Sequence, residues 1–187
     1  MNLPNKLSCL RLILVPVFAA LFFLKQIPYN YIFALATFAI ASITDFLDGK
    51  IARKYNLVTN LGKFLDPIAD KVLVSTALIL LVATGVLVPI AGAACVAVII
   101  ARELMISGFR QVAAKTGFVM AADKLGKYKT FVQDVAMIVL MFALQFPTAK
   151  WLYWTGNVLL FAATALTIAS GLNYLIKNRS VFKDEEK

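Results

Sequence analysis

Four aspartates fall between residues 45 and 70 of a chain that is otherwise largely apolar. Asp45 and Asp48 are three residues apart, and Asp66 and Asp70 are four apart. On helical backbone either spacing stacks both side chains of a pair on one face. Carboxylates gathered in this way repel one another unless a cation lies among them. The chain has no histidine, and its two cysteines, Cys9 and Cys95, lie in separate apolar runs, so the donors on offer are oxygens. Oxygen donors suit Mg²⁺, Mn²⁺ or Ca²⁺ rather than zinc. Two such ions about 3.5–4 Å apart are a common device for clamping a phosphoryl group.

Small residues frame the carboxylates. Gly49 and Ala52 lie on or beside the Asp45/Asp48 face, and Gly62 precedes Asp66 and Asp70 at i, i+4, i+8. Glycine inside a helix costs about 1 kcal/mol relative to alanine, which close approach of a ligand would explain. Arg53, one turn past Gly49, can meet a phosphate through its planar fork. Taken singly, each aspartate could be a solvated residue at a span end, paired with Lys50, Arg53, Lys63 or Lys71. Four at these spacings, with both glycines, argue for a site, and ionisable residues at membrane depth are functional candidates by default.

The elements that must position them are membrane spans. Of the 187 residues 61% are hydrophobic and only 16% charged, and the mean hydropathy is +0.82. Soluble domains are about 45–50% apolar and about 25% charged, so a membrane protein is expected. Apolar runs suited to about 30 Å of hydrocarbon cover residues 8–25, 30–49, 68–86, 88–108, 130–147 and 151–176. Lys6 and Arg11 give the first run the look of a signal peptide, but it lacks a clear small-x-small cleavage site and five more runs follow, so it reads as a retained helix. Of the 19 Lys and Arg, all but Lys25 and Lys150 fall at the N-terminus, in the second-to-third and fourth-to-fifth connections, or in the tail. The positive-inside rule puts those segments, both termini and the aspartate stretch in the cytoplasm. The expected architecture is all-α: a single polytopic membrane domain over 1–187 with six transmembrane helices and its active site at their cytoplasmic ends.

Written out, the stretch is D-x2-D-G-x2-A-R-x8-G-x3-D-x3-D, through Asp45, Asp48, Gly49, Ala52, Arg53, Gly62, Asp66 and Asp70. It resembles the motif of the CDP-alcohol phosphatidyltransferase family at every position. The likeness is closest to the bacterial branch that forms phosphatidylglycerophosphate, which begins much like Pro4-Asn5-Lys6-Leu7-Ser8 with Arg11 following. That branch also has stretches similar to Arg102-Glu103…Gly108…Arg110 and Leu125-Gly126-Lys127…Lys129-Thr130. The resemblance implies an enzyme that passes the phosphatidyl group of CDP-diacylglycerol to an alcohol and releases CMP. It implies two Mg²⁺ or Mn²⁺ ions on Asp45, Asp48 and Asp66, with Asp70 also touching a metal and acting as base on the acceptor hydroxyl. Gly49, Ala52, Arg53, Thr59 and Gly62 would line the CDP-diacylglycerol site. A homodimer in the cell membrane, with the bilayer and the two substrates as partners and no nucleic acid, completes the implied picture.

If the acceptor is glycerol 3-phosphate, its phosphate needs cations that the aspartates cannot supply. Arg102 and Arg110, eight residues apart, can share a helix face at the end of the fourth span, and Lys124, Lys127 and Lys129 begin the fifth. Of these, Arg110, Arg102, Lys127 and Lys129 are the expected acceptor-phosphate residues, although all of them also suit a role as anchors against anionic headgroups. Asp123 and Asp134 are possible partners for them. Sister enzymes that use inositol phosphate, serine or phosphatidylglycerol are the alternatives for the acceptor. A divalent-cation carrier is the alternative of another class, but it would normally place its carboxylates near mid-membrane within inverted repeats.

Overall fold

Hydrocarbon offers backbone N–H and C=O groups no partner, so a chain this apolar must satisfy them within each segment, and helices do so. The computed structural model describes the backbone of residues 3–54, 60–115 and 124–177; side chains are described there except at 3–6, 45–54, 60, 61, 63–67, 112, 114, 115 and 124. Six α-helices result: α1 (Leu3–Phe23), α2 (Asn30–Lys54), α3 (Asn60–Ala83), α4 (Ala91–Lys115), α5 (Lys124–Gln145) and α6 (Lys150–Lys177), with no strand among the described residues. Among the described residues two helices are long and apolar enough to cross a membrane, Ala91–Gln111 within α4 and Lys150–Lys177, while Leu7–Phe23 and Asn30–Thr44 are shorter apolar helices.

At four ends the helices outrun the apolar stretches into charged sequence, while α3 stops at Ala83 and α4 starts at Ala91, short of the expected runs. α2 continues to Lys54, α3 starts at Asn60 rather than near residue 68, α4 continues to Lys115, and α5 starts at Lys124 rather than near 130. Apolarity measures what lipid tolerates, whereas helical hydrogen bonding continues wherever no breaker intervenes. These extensions carry Ala52, Arg53, Gly62 and Asp66 of the motif, together with Arg110, Lys127 and Lys129.

The chain divides into two compact units, Met1–Thr84 with Met141–Ala149, and Gly85–Leu140 with Lys150–Lys187. In the first, α1 packs against both α2 and α3, and α2 touches α3. Val15, Phe18 and Phe22 of α1 are buried, as are Ala34, Phe38 and Ala41 of α2 and Ala69, Leu73 and Ala77 of α3, each set at the i, i+3/i+4 spacing of one helical face. Phe18 meets Phe22 edge-on at 5.1 Å between ring centroids and lies 5.9 Å from Phe38. Arg11 is fully buried and its Nε donates to the Ala41 carbonyl at 3.3 Å, tying α1 to α2.

In the second unit α4 packs against α6. A Cβ on Gly156 would come within 2.7 Å of the Leu140 side chain, so only glycine allows α6 this approach to α5. Gly85, at φ +72°, opens the turn into α4 in the left-handed conformation that favours glycine. Buried Asn157 closes that turn: its Oδ1 accepts from Val88 N at 2.9 Å, and its Nδ2 donates to Val86 O at 3.2 Å.

Candidate active site

The aspartate motif lies wholly on the first unit. Asp45, Asp48, Gly49, Ala52 and Arg53 occupy the last turns of α2, and Gly62, Asp66 and Asp70 the first half of α3. The spacings that suggested shared faces are therefore carried by helical backbone, on two helices that touch. Gly62 is buried. Asp70 keeps a half-exposed carboxylate, with Oδ2 3.8 Å from Lys71 Nζ. The side chains of Asp45, Asp48, Gly49, Ala52, Arg53 and Asp66 lie outside the described residues, as does Thr59 altogether. As a donor set, four carboxylates on neighbouring helices, with no imidazole in the chain, fit hard divalent ions.

The expected acceptor cations lie on the second unit, and the structure divides them. Arg102 and Lys129 are engaged with Glu103. Arg102 Nη1 donates to Glu103 Oε1 at 3.0 Å, and Lys129 Nζ donates to the same oxygen. Arg102 Nη2 reaches across to Ser170 Oγ on α6 at 3.0 Å. The three ions are largely out of solvent, with side-chain exposures of 14%, 12% and 2% for Arg102, Glu103 and Lys129, so each depends on the others for its stability there. Gly171 makes the seat: a Cβ there would stand 3.3 Å from Arg102 Cγ. Arg102 borders a groove of about 300 Å³ with Val98, Met105, Ile168, Leu172 and Leu175. Besides Arg102 its one polar side chain is Thr167, whose hydroxyl donates to the Ala163 carbonyl.

Arg110 and Lys127 are exposed instead. Arg110 Nε donates to Tyr174 Oη at 3.3 Å, and its guanidinium carbon stands 5.4 Å from the centre of the Tyr174 ring. Lys127 has no partner among the described residues. Asp134 is half-buried and is not without an interaction partner; Asp123 lies outside the described residues.

Sequence reasoning gave Glu103, Ser170 and Tyr174 no role. Glu103 carried a signal, being an acid within an apolar run of α4, where ionisable groups require a partner. Ser170 and Tyr174 carried none, because their partners lie 68 and 64 residues away.

An all-helical membrane chain that holds four aspartates on two touching helices, in this pattern, defines a class. The chain belongs to the CDP-alcohol phosphatidyltransferase family, whose model matches residues 1–169, a family generally dependent on divalent metal ions. Its relatives include the CDP-diacylglycerol–glycerol-3-phosphate 3-phosphatidyltransferase of Bacillus subtilis, 41% identical over 97% of each chain. Proteins of the same name from Rickettsia bellii, 39% identical over 92% of this chain and 93% of the relative, and from Escherichia coli, 36% identical over 98% of each, are also similar.

Proposed function

We propose that this protein transfers the phosphatidyl group of CDP-diacylglycerol to sn-glycerol 3-phosphate, giving phosphatidylglycerophosphate and CMP. The observation that carries the reading is the complete eight-residue motif on α2 and α3, in a chain similar over nearly its whole length to enzymes named for that reaction. The acceptor hydroxyl oxygen forms a bond to the phosphatidyl phosphorus, the bond from that phosphorus to the bridging pyrophosphate oxygen breaks, and CMP departs with the electron pair. Asp70 takes the hydroxyl proton; its half-exposed carboxylate on α3 is open to a small polar substrate. Asp45, Asp48, Asp66 and Asp70 would hold two Mg²⁺ or Mn²⁺ ions, which when bound neutralise the pyrophosphate and the charge gathering on CMP. Gly49, Ala52 and Gly62 leave room along these faces for the nucleotide-lipid, and Arg53 and Thr59 contact its phosphates. Arg110 and Lys127 meet the acceptor phosphate, and Arg102 and Lys129, also cations of this unit, are paired with Glu103. No step requires a nucleophile from the protein, in keeping with thiols that are buried or half-buried.

The same reading takes all six helices as spans, with both termini and the reacting groups on the cytoplasmic side, in one membrane domain that assembles as a homodimer. The exposed apolar residues of α4 and α6, among them Val98, Leu104, Val158, Ile168 and Leu172, suit contact with lipid tails. The test is CMP release by the purified protein with CDP-diacylglycerol and a panel of acceptors: glycerol 3-phosphate, serine, inositol phosphate and phosphatidylglycerol. Release that depends on glycerol 3-phosphate is expected. Release with another acceptor alone would reassign the substrate, and none with any acceptor would refute the activity.

A further inference from the structure

Arg102 and Arg110 share a helix, a residue type and a spacing of eight, yet α6 receives them differently. Ser170 and Tyr174, one turn apart on α6, are the two receptors. At Ser170 both terminal nitrogens of Arg102 are occupied, one by Glu103 and one by the serine hydroxyl. At Tyr174 the contact is made by Nε and by the guanidinium plane, 5.4 Å from the ring centre, within the range of a cation–π attraction. Tyr174 itself is fixed, at 3% exposure, while Arg110 is exposed. Nη1 and Nη2 of Arg110 have no partner among the described residues, so the two-pronged end that matches a phosphate is the end left open.

We infer that Tyr174 is a positioning residue for the acceptor phosphate: it grips Arg110 by Nε and the ring face and presents Nη1 and Nη2 as a preset fork. The inference rests on Arg110 contacting that phosphate, as proposed above. A free arginine must freeze its long side chain on binding an anion, whereas one already held loses less freedom, and the difference appears as affinity. It also sorts the cations. Arg110 is held and open, Lys127 is open but not held, and Arg102 and Lys129 are held and closed.

The test uses the full-length protein in detergent micelles containing CDP-diacylglycerol, with CMP release measured against the concentration of each substrate. Tyr174→Phe keeps the ring and removes the hydroxyl; from the usual strength of hydrogen bonds to charged groups, it should raise KM for glycerol 3-phosphate about tenfold. The kcat and the KM for CDP-diacylglycerol should stay within about twofold, a split that a general loosening of the fold would not give. Tyr174→Leu should raise the same KM further, and thermal midpoints of both variants report folding. In an Arg110→Ala background, Tyr174→Phe should have no additional effect, because there is no guanidinium left to hold. If Arg110→Ala leaves KM for glycerol 3-phosphate unchanged, the acceptor reading itself is wrong. If Arg110→Ala raises it but Tyr174→Phe does not, or the two effects simply multiply, the positioning role is refuted. Should Tyr174→Leu fail to fold, the near-isosteric phenylalanine variant decides the matter alone.

Discussion

Removing the Glu103 carboxylate should destabilise the protein, and the geometry sets the size. Glu103 Oε1 accepts from both Arg102 and Lys129, and with exposures of 12%, 14% and 2% water can do little to replace it. Glu103→Ala leaves two cations in the apolar body of the second unit with their shared anion gone. Stranding a buried charge costs about 3–5 kcal/mol. At about 2–4 °C per kcal/mol for a chain of this size, the thermal midpoint should fall by about 6–20 °C. The assay is the monodisperse fraction on size-exclusion chromatography after heating in detergent micelles. Lys129→Met in the native background should also lower the midpoint, because it removes one of the cations that balance Glu103. Combined with Glu103→Ala it should recover much of the loss, since the methionine stem suits the site that the ammonium no longer does. A midpoint lowered by less than about 2 °C in Glu103→Ala, or additive effects of the two substitutions, would refute the argument that the three ions are energetically coupled.

Asp66→Asn should abolish CMP release and weaken Mn²⁺ binding, followed by electron paramagnetic resonance, without unfolding the protein; an active variant would remove the two-metal reading. Asp70→Asn should still bind CDP-diacylglycerol yet lose turnover, and an equal loss of binding and rate would point to a metal-holding role alone. In a chain freed of Cys9 and Cys95, cysteines at Thr59 and Lys183 should be labelled by an impermeant maleimide only from the cytoplasmic side, and one at Thr148 only from outside. Gly156→Val should lower stability by about 1–3 kcal/mol, because its side chain enters the space that Leu140 fills at 2.7 Å; an unchanged thermal midpoint would contradict the close α5–α6 approach.

Much of the architecture was legible before folding because it depends on near neighbours in the chain. Apolar runs mark where helices are needed, since lipid provides no hydrogen bonds, and the i, i+3 and i, i+4 placement of the aspartates acquires meaning as soon as the backbone is helical. The motif Asp45 to Asp70 spans one connection, so both of its halves are visible in a single stretch of sequence. Helix ends were legible only in part. α3 and α5 begin six or more residues before their apolar cores, because charge opposes burial in lipid but does not oppose helix.

The fate of each cation was decided by tertiary structure. Lys127 and Lys129 are two residues apart and chemically identical, and sequence alone gave them the same role. A helix turns through about 200° in two residues, so one ammonium stays exposed while the other is buried against Glu103. Arg102 and Arg110 are likewise the same residue on the same helix, and what separates them is which residue of α6 they meet. A charge pattern along one helix states which groups are available. Whether a guanidinium is closed into an ion cluster or held open depends on the face of another helix, more than 60 residues away in the chain, that packing brings against it.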